Sequence, residues 1–258
     1  MKKTTPKIAI IGFGNMGKAI FSGLMKSGNF KEDDFVFSNS KKNNGRAVKM
    51  ADIIILAVRP ENISDVLGDI KTYLSKEKLL ISIAARVSIH EIKELLGFSY
   101  PIVRVMPNIC ASIGESMSCW VKSNEVNASQ IKKVKSILQS IGEEIMIDNE
   151  NLFSAITVIS GSGPAYFLYL AELFVDFSKN VELESKFSKK LIKQTLFGVA
   201  KMLYESDKPI QTLRDEITSK GGTTEEVFRK LNKDKFGEIF LRALKAGYVK
   251  GSNSTPKK

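Results

Sequence analysis

The sequence is poor in the residues that build disulfide frameworks, metal sites and histidine-based catalysis. It has two cysteines and one histidine in 258 residues. Cys110 and Cys119 have no histidine near them, which excludes a zinc pattern and favours a reduced cytosolic protein over a disulfide scaffold. Ser88 with Glu91 three residues later predicts a capping box that begins a helix, and Gly97 is predicted to end it. The single histidine, His90, lies in the first turn of this predicted helix, so we favour a surface or capping role over general-base catalysis. We predict no metal site.

A long apolar segment is lacking at the N-terminus, where "KIAII" is interrupted at once by "GFGNMG". That run is too short for a signal peptide or a membrane span, so we predict a cytoplasmic protein without a membrane partner. Acidic residues are also in deficit, at 28 against 39 basic residues, a net charge of +11. Because the lysines are scattered and not interleaved with aromatic residues, we expect a solvated surface and no nucleic-acid partner.

The pattern of apolar residues changes near residue 150. From Lys7 to about Ile147, short runs rich in isoleucine and valine alternate with helical patterns, which indicates a parallel sheet with crossover helices. The predicted strands are 7–11, 35–39, 52–58, 79–84, 102–106, 117–121 and 144–147. Beyond this point the patterns predict helices over 151–159, 164–179, 185–205, 210–217, 223–231 and 234–249. We therefore predict an α/β domain over residues 1–150 and an all-α domain over residues 151–258.

The helical half contains the stretch "PAYFLYLAELFVDF", which is apolar around most of its circumference. One chain by itself would not bury such a helix on every side. We therefore predict a homodimer formed through the helical domain.

The first chemical motif is G-x-G-x-x-G at Gly12, Gly14 and Gly17, directly after a predicted strand and at the start of a helix. Gly12 permits a tight turn, Gly14 lets a pyrophosphate approach the backbone, and Gly17 lets helix and strand pack closely. With Asn15 and Met16, these residues would place phosphates on free N–H groups at the helix N-terminus. The α/β half is thus predicted to be a Rossmann-type dinucleotide-binding domain; a tight turn without a ligand is the less favoured alternative.

The second predicted strand indicates which dinucleotide binds. Binders of NAD usually carry an acidic residue where this strand ends. Asp33 and Asp34 precede the strand and so lie at its wrong end, whereas its far end, residues 38–42, offers Ser38 and Lys41 among other hydroxyl and cationic groups. These groups suit a 2′-phosphate and favour NADP(H), with NAD(H) kept as the alternative. The less favoured alternative is that these lysines are ordinary loop residues.

Six motifs occur in an order that resembles the pyrroline-5-carboxylate reductase family. They are "GFGNMGKAI", "ADIIILAVRP", "LISIAARVS", "VRVMPN", "SGSGPAYF" and "TSKGGTTEEVF", and the resemblance covers essentially the whole chain. It implies an oxidoreductase that uses NADPH to reduce the C=N bond of 1-pyrroline-5-carboxylate to L-proline, the last step of proline biosynthesis. It also implies a homodimer whose helical domains interlock, with larger rings of dimers as a further form of assembly.

The stretch "TSKGGTTEEVF" is the predicted substrate site. The backbone N–H groups of Gly221, Gly222, Thr223 and Thr224 would bind the substrate carboxylate at a helix N-terminus. The resemblance further implies that the hydroxyl of Thr224 faces the ring nitrogen, which makes Thr224 the predicted catalytic residue. The alternative is a plain helix cap, with Thr223 or Thr224 as the capping residue.

The resemblance supplies the remaining site residues. It implies that the cofactor crevice is lined by Asn44 at the ribose and by Ala57, Val58, Arg59, Pro60, Ala84, Ala85, Met106, Pro107 and Asn108. It implies that the turn meeting nicotinamide and substrate is formed by Ser160, Gly161 and Ser162, followed by Gly163 and Pro164. Since a protonated C=N is already an electrophile and the cofactor donates the hydride, positioning is expected to supply most of the rate.

Two departures from the family pattern bear on function. Arg86 stands where glycine is usual, and could crowd the nicotinamide or contact an anionic group. The second crossover, before "ADIIILAV", is shorter than expected by a helix and a strand, or about 20 residues. We favour the hypothesis that the sequence skips a loop near Lys41 to Asn44, over the alternative that the protein lacks this crossover.

Two other functions stay open. One is an NADP-linked reductase of the β-hydroxyacid dehydrogenase type, although the helix after "SGSG" offers Ala171 and Glu172 where a catalytic lysine is needed. The other is a dinucleotide sensor without turnover, which Arg86 and the short second crossover would support.

Overall fold

The computed structural model describes residues 7–252. They pack into two compact units. The first consists of residues 7–164 together with 247–252, and the second consists of residues 165–246.

The first unit is built on one seven-stranded sheet in the order β2-β1-β3-β4-β5-β6-β7. The strands are β1 Ile8–Ile11, β2 Phe35–Ser38, β3 Ile53–Leu56, β4 Leu79–Ser82, β5 Ile102–Met106, β6 Ser116–Lys122 and β7 Gly142–Met146. All seven predicted strands are confirmed. The sheet is not wholly parallel, because β6 runs antiparallel to β5. Residues 107–115 join these two strands, and a stretch of that length is too short for the helical crossover that parallel strands require.

Helices cover both faces of this sheet. They are α1 Asn15–Lys26, α2 Lys41–Met50, α3 Ile63–Ile70, α4 Ile89–Leu96, α5 Ala128–Gln139 and α6 Phe153–Ile156, which continues into a π-helical turn, Thr157–Gly161. In β3, Ile53 and Ile55 face one apolar cluster while Ile54 and Leu56 face the other. A strand buried on both faces reads as an unbroken apolar run, which explains the "IIIL" of β3.

The second crossover is one helix, α2. It runs unbroken from Lys41 to Met50, and β3 pairs directly with β1, on the side opposite β2. The hypothesis of a skipped loop near Lys41 to Asn44 is therefore wrong. Residues 39–52 supply the dozen or so residues that a crossover needs, and the sheet order includes no further strand at this point.

Helix α4 forms as its sequence predicts. The Ser88 hydroxyl accepts from the Glu91 N–H at 3.1 Å, and the Glu91 carboxylate accepts from the Ser88 N–H at 2.7 Å. Gly97 ends the helix at φ 80°. His90 is exposed, with Nε2 3.5 Å from the Glu94 carboxylate, as expected of a surface residue.

The second unit is helical throughout. Its helices are α7 Gly163–Asn180, α8 Ser185–Glu205, α9 Ile210–Ile217, α10 Thr223–Lys233 and α11 Phe236–Ser252, of which α7 begins and α11 ends in the first unit. The predicted helices are thus confirmed. Large apolar side chains remain exposed on α7 and α8, among them Phe167, Leu168, Phe174, Phe177, Phe197 and Tyr204. The helical run Glu150–Asn180 is also long and apolar enough to cross a membrane, by length and composition alone.

The division between the compact units falls later than the predicted domain boundary at residues 150 and 151. Phe153 is 2% exposed and belongs to the apolar cluster beneath α3 and α4. The guanidinium of Arg104, on β5, lies 4.3 Å from the centre of the Phe153 ring, and its Nη1 lies 2.9 Å from the Glu150 carboxylate. The first residues of the predicted helical domain therefore pack on the sheet.

Candidate active site

The glycine turn joins β1 to α1. Gly12 has φ 93°, and a Cβ there would lie 2.7 Å from the Ala57 backbone, so a larger residue would not fit. A Cβ on Gly17 would lie 2.4 Å from the Gly12 carbonyl oxygen, which confirms that this glycine allows close helix–strand packing. Gly14 is the residue before α1 and faces open space. The first N–H groups of α1, from Asn15 onward, lack partners within the helix, so this turn is built to receive an anion.

A cavity of about 420 Å³ opens beside this turn at the carboxyl end of β2. It is lined by Ile11, Gly12, Ser38, Asn39, Ser40, Lys41, Asn44, Val58, Asn62, Asp65, Val66 and Asp69. The structure thus brings together the predicted residues of the glycine turn, the end of β2 and Asn44. The cavity combines hydroxyl, amide and ammonium donors with space next to the turn, and these groups fit the adenosine half of a dinucleotide.

A hydrogen-bonded chain fixes the side chains of this cavity. Ser38 donates to Asn44 Oδ1 at 2.7 Å, and Asn44 Nδ2 donates to Asp69 Oδ2 at 3.1 Å. Lys41 Nζ lies 3.7 Å from Asp69 Oδ1. Asn44 is 4% exposed, so its amide is held by protein partners in a fixed orientation.

Sequence reasoning missed the two acidic residues of the cavity, Asp65 and Asp69. They come from α3, a separate element, and not from the second strand, where acidic residues were sought. A signal was present. The two aspartates stand four residues apart in a helix that follows β3 at the sheet edge carrying the glycine turn, so they lie on one face of that helix.

The other predicted cofactor residues follow the ends of β3, β4 and β5. These strands are parallel to β1, so their carboxyl ends share the edge that carries the glycine turn. After β3 come Ala57, Val58, the exposed Arg59 and Pro60; after β4 come Ala84 and Ala85; and Met106 ends β5 before Pro107 and Asn108. Ligands of open α/β sheets bind at this edge.

Like Asn44, Asn108 has protein partners at both its side-chain oxygen and its side-chain nitrogen. Its Oδ1 accepts from the Cys110 N–H at 3.0 Å, and its Nδ2 donates to the Ser160 carbonyl oxygen at 3.3 Å. Ser160 and Gly161 belong to the π-helical turn, where a Cβ on Gly161 would lie 3.3 Å from the Met106 sulfur. The side chain of Asn108 therefore holds the turn that carries Ser160, Gly161 and Ser162.

Arg86 adopts φ 61°, a left-handed backbone conformation that favours glycine. With Arg104, Glu150 and Tyr248, among others, it lines a separate cavity of about 350 Å³. The glycine usual at this position in the family pattern is thus explained by the backbone, which this chain keeps while carrying a larger side chain.

The predicted substrate stretch lies in the second unit, at the start of α10. Gly221 has φ 74°, and Gly222 is the residue before the helix. Thr223 and Thr224 are the first two helical residues, so the alternative in which one of them is the capping residue is wrong.

Two of the four predicted amide donors already have partners. The Gly221 N–H donates to the Glu225 carboxylate at 2.6 Å, and the Gly222 N–H donates to the Ser219 carbonyl at 3.0 Å. The N–H groups of Thr223 and Thr224 fall in the first turn, where a helix supplies no acceptor. A carboxylate already bound at Gly221 indicates that this loop suits a carboxylate ligand.

The cysteines are poor nucleophiles. Burial, and to a lesser extent the charge of Glu115, raises the pKa of Cys110, and burial raises the pKa of Cys119. Both thiols are free and stay protonated near neutral pH, which does not suit them to nucleophilic catalysis.

Comparison with known proteins finds relatives of the same family over most of the chain. A family described as "Pyrroline-5-carboxylate reductase dimerisation" matches residues 150–253. A second, described as "NADP oxidoreductase coenzyme F420-dependent", matches residues 7–47 and 37–86. Pyrroline-5-carboxylate reductase 2 of Bacillus subtilis (strain 168) is 32% identical over 256 residues, which cover 92% of this chain and 91% of that protein. Pyrroline-5-carboxylate reductase of Haemophilus influenzae is 32% identical over 255 residues, covering 93% and 94%.

Solved structures give the same result. The crystal structure of Plasmodium falciparum pyrroline carboxylate reductase with NADP bound superimposes with a TM-score of 0.90 at 34% identity, covering 96% of this chain and 97% of that one. The pyrroline-5-carboxylate reductase of Coxiella burnetii superimposes with a TM-score of 0.82 at 29% identity, covering 98% and 100%.

Proposed function

The chain belongs to the pyrroline-5-carboxylate reductase family and is an NAD(P)H-dependent oxidoreductase acting on a cyclic C=N bond, and we propose how its own residues carry out that reaction. The substrate is 1-pyrroline-5-carboxylate, the product is L-proline, and the reaction completes proline biosynthesis. The observation that carries the proposal is the glycine turn, which opens onto a polar cavity of about 420 Å³ at the edge of the sheet.

The first unit binds the cofactor, which when bound supplies the hydride. The N–H groups after Gly14 hold the pyrophosphate, and the cavity at the end of β2 holds the adenosine ribose. The residues that follow β3, β4 and β5 line the nicotinamide end of the crevice. Asn108 is a positioning residue that holds the turn at Ser160.

The start of α10 binds the substrate. The N–H groups of Thr223 and Thr224 receive its carboxylate, favoured by the positive end of the helix dipole. The half-buried Thr224 directs its hydroxyl at the ring nitrogen. Because a protonated C=N is already an electrophile, these side chains need only orient the substrate.

The protein acts as a homodimer in the cytoplasm, with a larger ring of dimers as a further level of assembly. By function, residues 1–150 are the NADP-binding domain and residues 151–258 the substrate and dimerisation domain, although residues 151–164 and 247–252 belong to the first compact unit. The exposed aromatic side chains of α7, such as Phe174 and Phe177, support this arrangement because a second copy would bury them. Neither nucleic acid nor a membrane is a partner in this proposal.

Two measurements test the proposal. Adding 1-pyrroline-5-carboxylate to protein and NADPH should remove the NADPH absorbance band, and an unchanged band would refute the activity. Thr224→Ala should raise the substrate KM about ten- to a hundredfold, since it removes a hydrogen bond to the ring nitrogen of the protonated imine, and leave NADPH binding intact. Thr224→Ser should restore the KM, and Thr212→Ala, on exposed α9, serves as the matched control. An unchanged KM in Thr224→Ala would remove that residue from the site.

A further inference from the structure

We propose that Asp69 determines how strongly this protein discriminates between NADPH and NADH. Its carboxylate reaches the cavity at the end of β2 from α3, and there it disfavours a 2′-phosphate relative to a 2′-hydroxyl. The inference rests on the proposed function, since it concerns the same cofactor cavity.

The carboxylate of Asp69 lines the cavity in which the adenosine ribose is proposed to bind. Asp69 Oδ2 lies 3.1 Å from Asn44 Nδ2, and Oδ1 lies 3.7 Å from Lys41 Nζ. Binders of NAD carry such a carboxylate where the second strand ends, and it accepts hydrogen bonds from the ribose hydroxyls. Here residues 38–42 contain no acidic residue, and α3 delivers the carboxylate to the same cavity.

The exposure of Lys41 and Asp69 decides which of the two charges acts more strongly on a bound phosphate. The side chain of Lys41 is 88% exposed and that of Asp69 is 12% exposed. Water and salt therefore screen the lysine more than the aspartate, and its salt bridge offsets little of the negative charge. A phosphate in this cavity is repelled by Asp69, whereas a hydroxyl can donate to it. Asp69 thus opposes the preference for NADP(H) that the serines and lysines of residues 38–42 create.

Asp69 also supports Asn44, so the charge and the hydrogen bond must be tested separately. Asp69→Asn removes the charge but keeps an oxygen that can accept from Asn44 Nδ2. Asp33→Asn is the matched control. It removes one carboxylate from the 3₁₀ turn Glu32–Asp34, at the opposite end of β2, so the net charge of the protein changes by the same amount.

The experiment measures the Kd of NADPH and of NADH by the change in dinucleotide fluorescence on binding to the full-length protein. In Asp69→Asn we expect the Kd of NADPH to fall about three- to tenfold at low salt, with the Kd of NADH within about twofold of the wild type. The gain for NADPH should shrink at high salt. Asp33→Asn should leave the ratio of the two values unchanged.

Two outcomes overturn the inference. One is an equal ratio of Kd values in Asp69→Asn and Asp33→Asn; the other is an equal weakening of both dinucleotides, which would leave Asp69 as a support for Asn44 alone. If Asp69→Asn does not fold, Asp65→Asn decides, since this exposed carboxylate lines the same cavity and its loss should shift the ratio in the same direction by a smaller factor. An unchanged ratio there would also refute the inference.

A wild-type protein that binds neither dinucleotide would refute the proposed function, whereas one that binds and oxidises NADPH, with ratios that do not respond to Asp69, would refute this inference alone.

Discussion

The two compact units bury their apolar residues to very different extents. In the first unit, both faces of the sheet are covered, and residues such as Ile10, Leu56 and Trp120 are fully buried. In residues 165–246, all of which the structure describes, Leu213 is the single buried apolar side chain. A helix presents only one face to each neighbour, so a thin layer of helices leaves much apolar surface uncovered. The first unit buries its core within one chain. The second unit needs contact with another protein surface to bury its apolar side chains.

The largest effect is expected where a second copy would cover that surface. Phe177 on α7 is 63% exposed in the single chain. Phe177→Glu would bury an unpaired charge on dimerisation, at a cost of about 3 to 5 kcal/mol, and so should weaken the dimer roughly a hundred- to several thousandfold. Sedimentation velocity should then report a monomer at micromolar concentrations.

The control for this substitution lies in the first unit. Met50, at the end of α2, is 54% exposed, so Met50→Glu introduces the same charge at a similar exposure. It should leave the oligomeric state unchanged. If the two variants sediment alike, the apolar face of α7 is not the dimer interface.

The next largest effect concerns the polar contact inside the first unit. Arg104 is 7% exposed, and its guanidinium is paired with Glu150 above the Phe153 ring. Glu150→Ala would leave this buried cation without its carboxylate, which should lower the free energy of unfolding by about 3 kcal/mol. Denaturant titration measures the loss. Asp148→Ala removes an exposed carboxylate nearby, and equal losses in the two variants would contradict the role of Glu150.

The smallest effect is expected from two residues with a left-handed backbone conformation, one in each unit. Arg86 in the first unit and Glu182 in the second have φ 61° and 57°. Glycine at either position should raise the stability by about 0.5 to 1 kcal/mol, because only glycine adopts this conformation without strain. Thermal unfolding measures the change. Lys132→Gly, inside helix α5, should lower the stability by about 1 kcal/mol, and a loss in Glu182→Gly would contradict the strain at that residue.

Local sequence patterns predicted most of the fold. The isoleucine-rich runs predicted all seven strands, and Ser88 with Glu91 and Gly97 predicted both ends of α4. These features depend on neighbouring residues, whose periodicity and capping chemistry can be read directly. The reversed direction of β6 was not predicted, because it depends on how residues 107–115 cross the end of the sheet.

The candidate site was predictable only in part. The roles of Gly12 and Gly17 followed from the motif, because close approach between a strand and a helix is a local property. Asp69 was missed because it is 25 positions from its partner Asn44, and α3 brings the two together. The hydrogen bond from Asn108 to Ser160 was missed because nothing in the sequence shows that this side chain reaches a residue 52 positions away.

By itself, the sequence determined the elements, the nucleotide-binding turn and the family, since each depends on residue types at short, regular spacing. Only the tertiary structure decided that one short helix completes the second crossover, that Gly222 precedes α10, and that acidic residues from α3 line the cavity at the end of β2. Those outcomes depend on distances between residues far apart in the chain. Such distances are determined by the packing of whole elements, which no local pattern encodes.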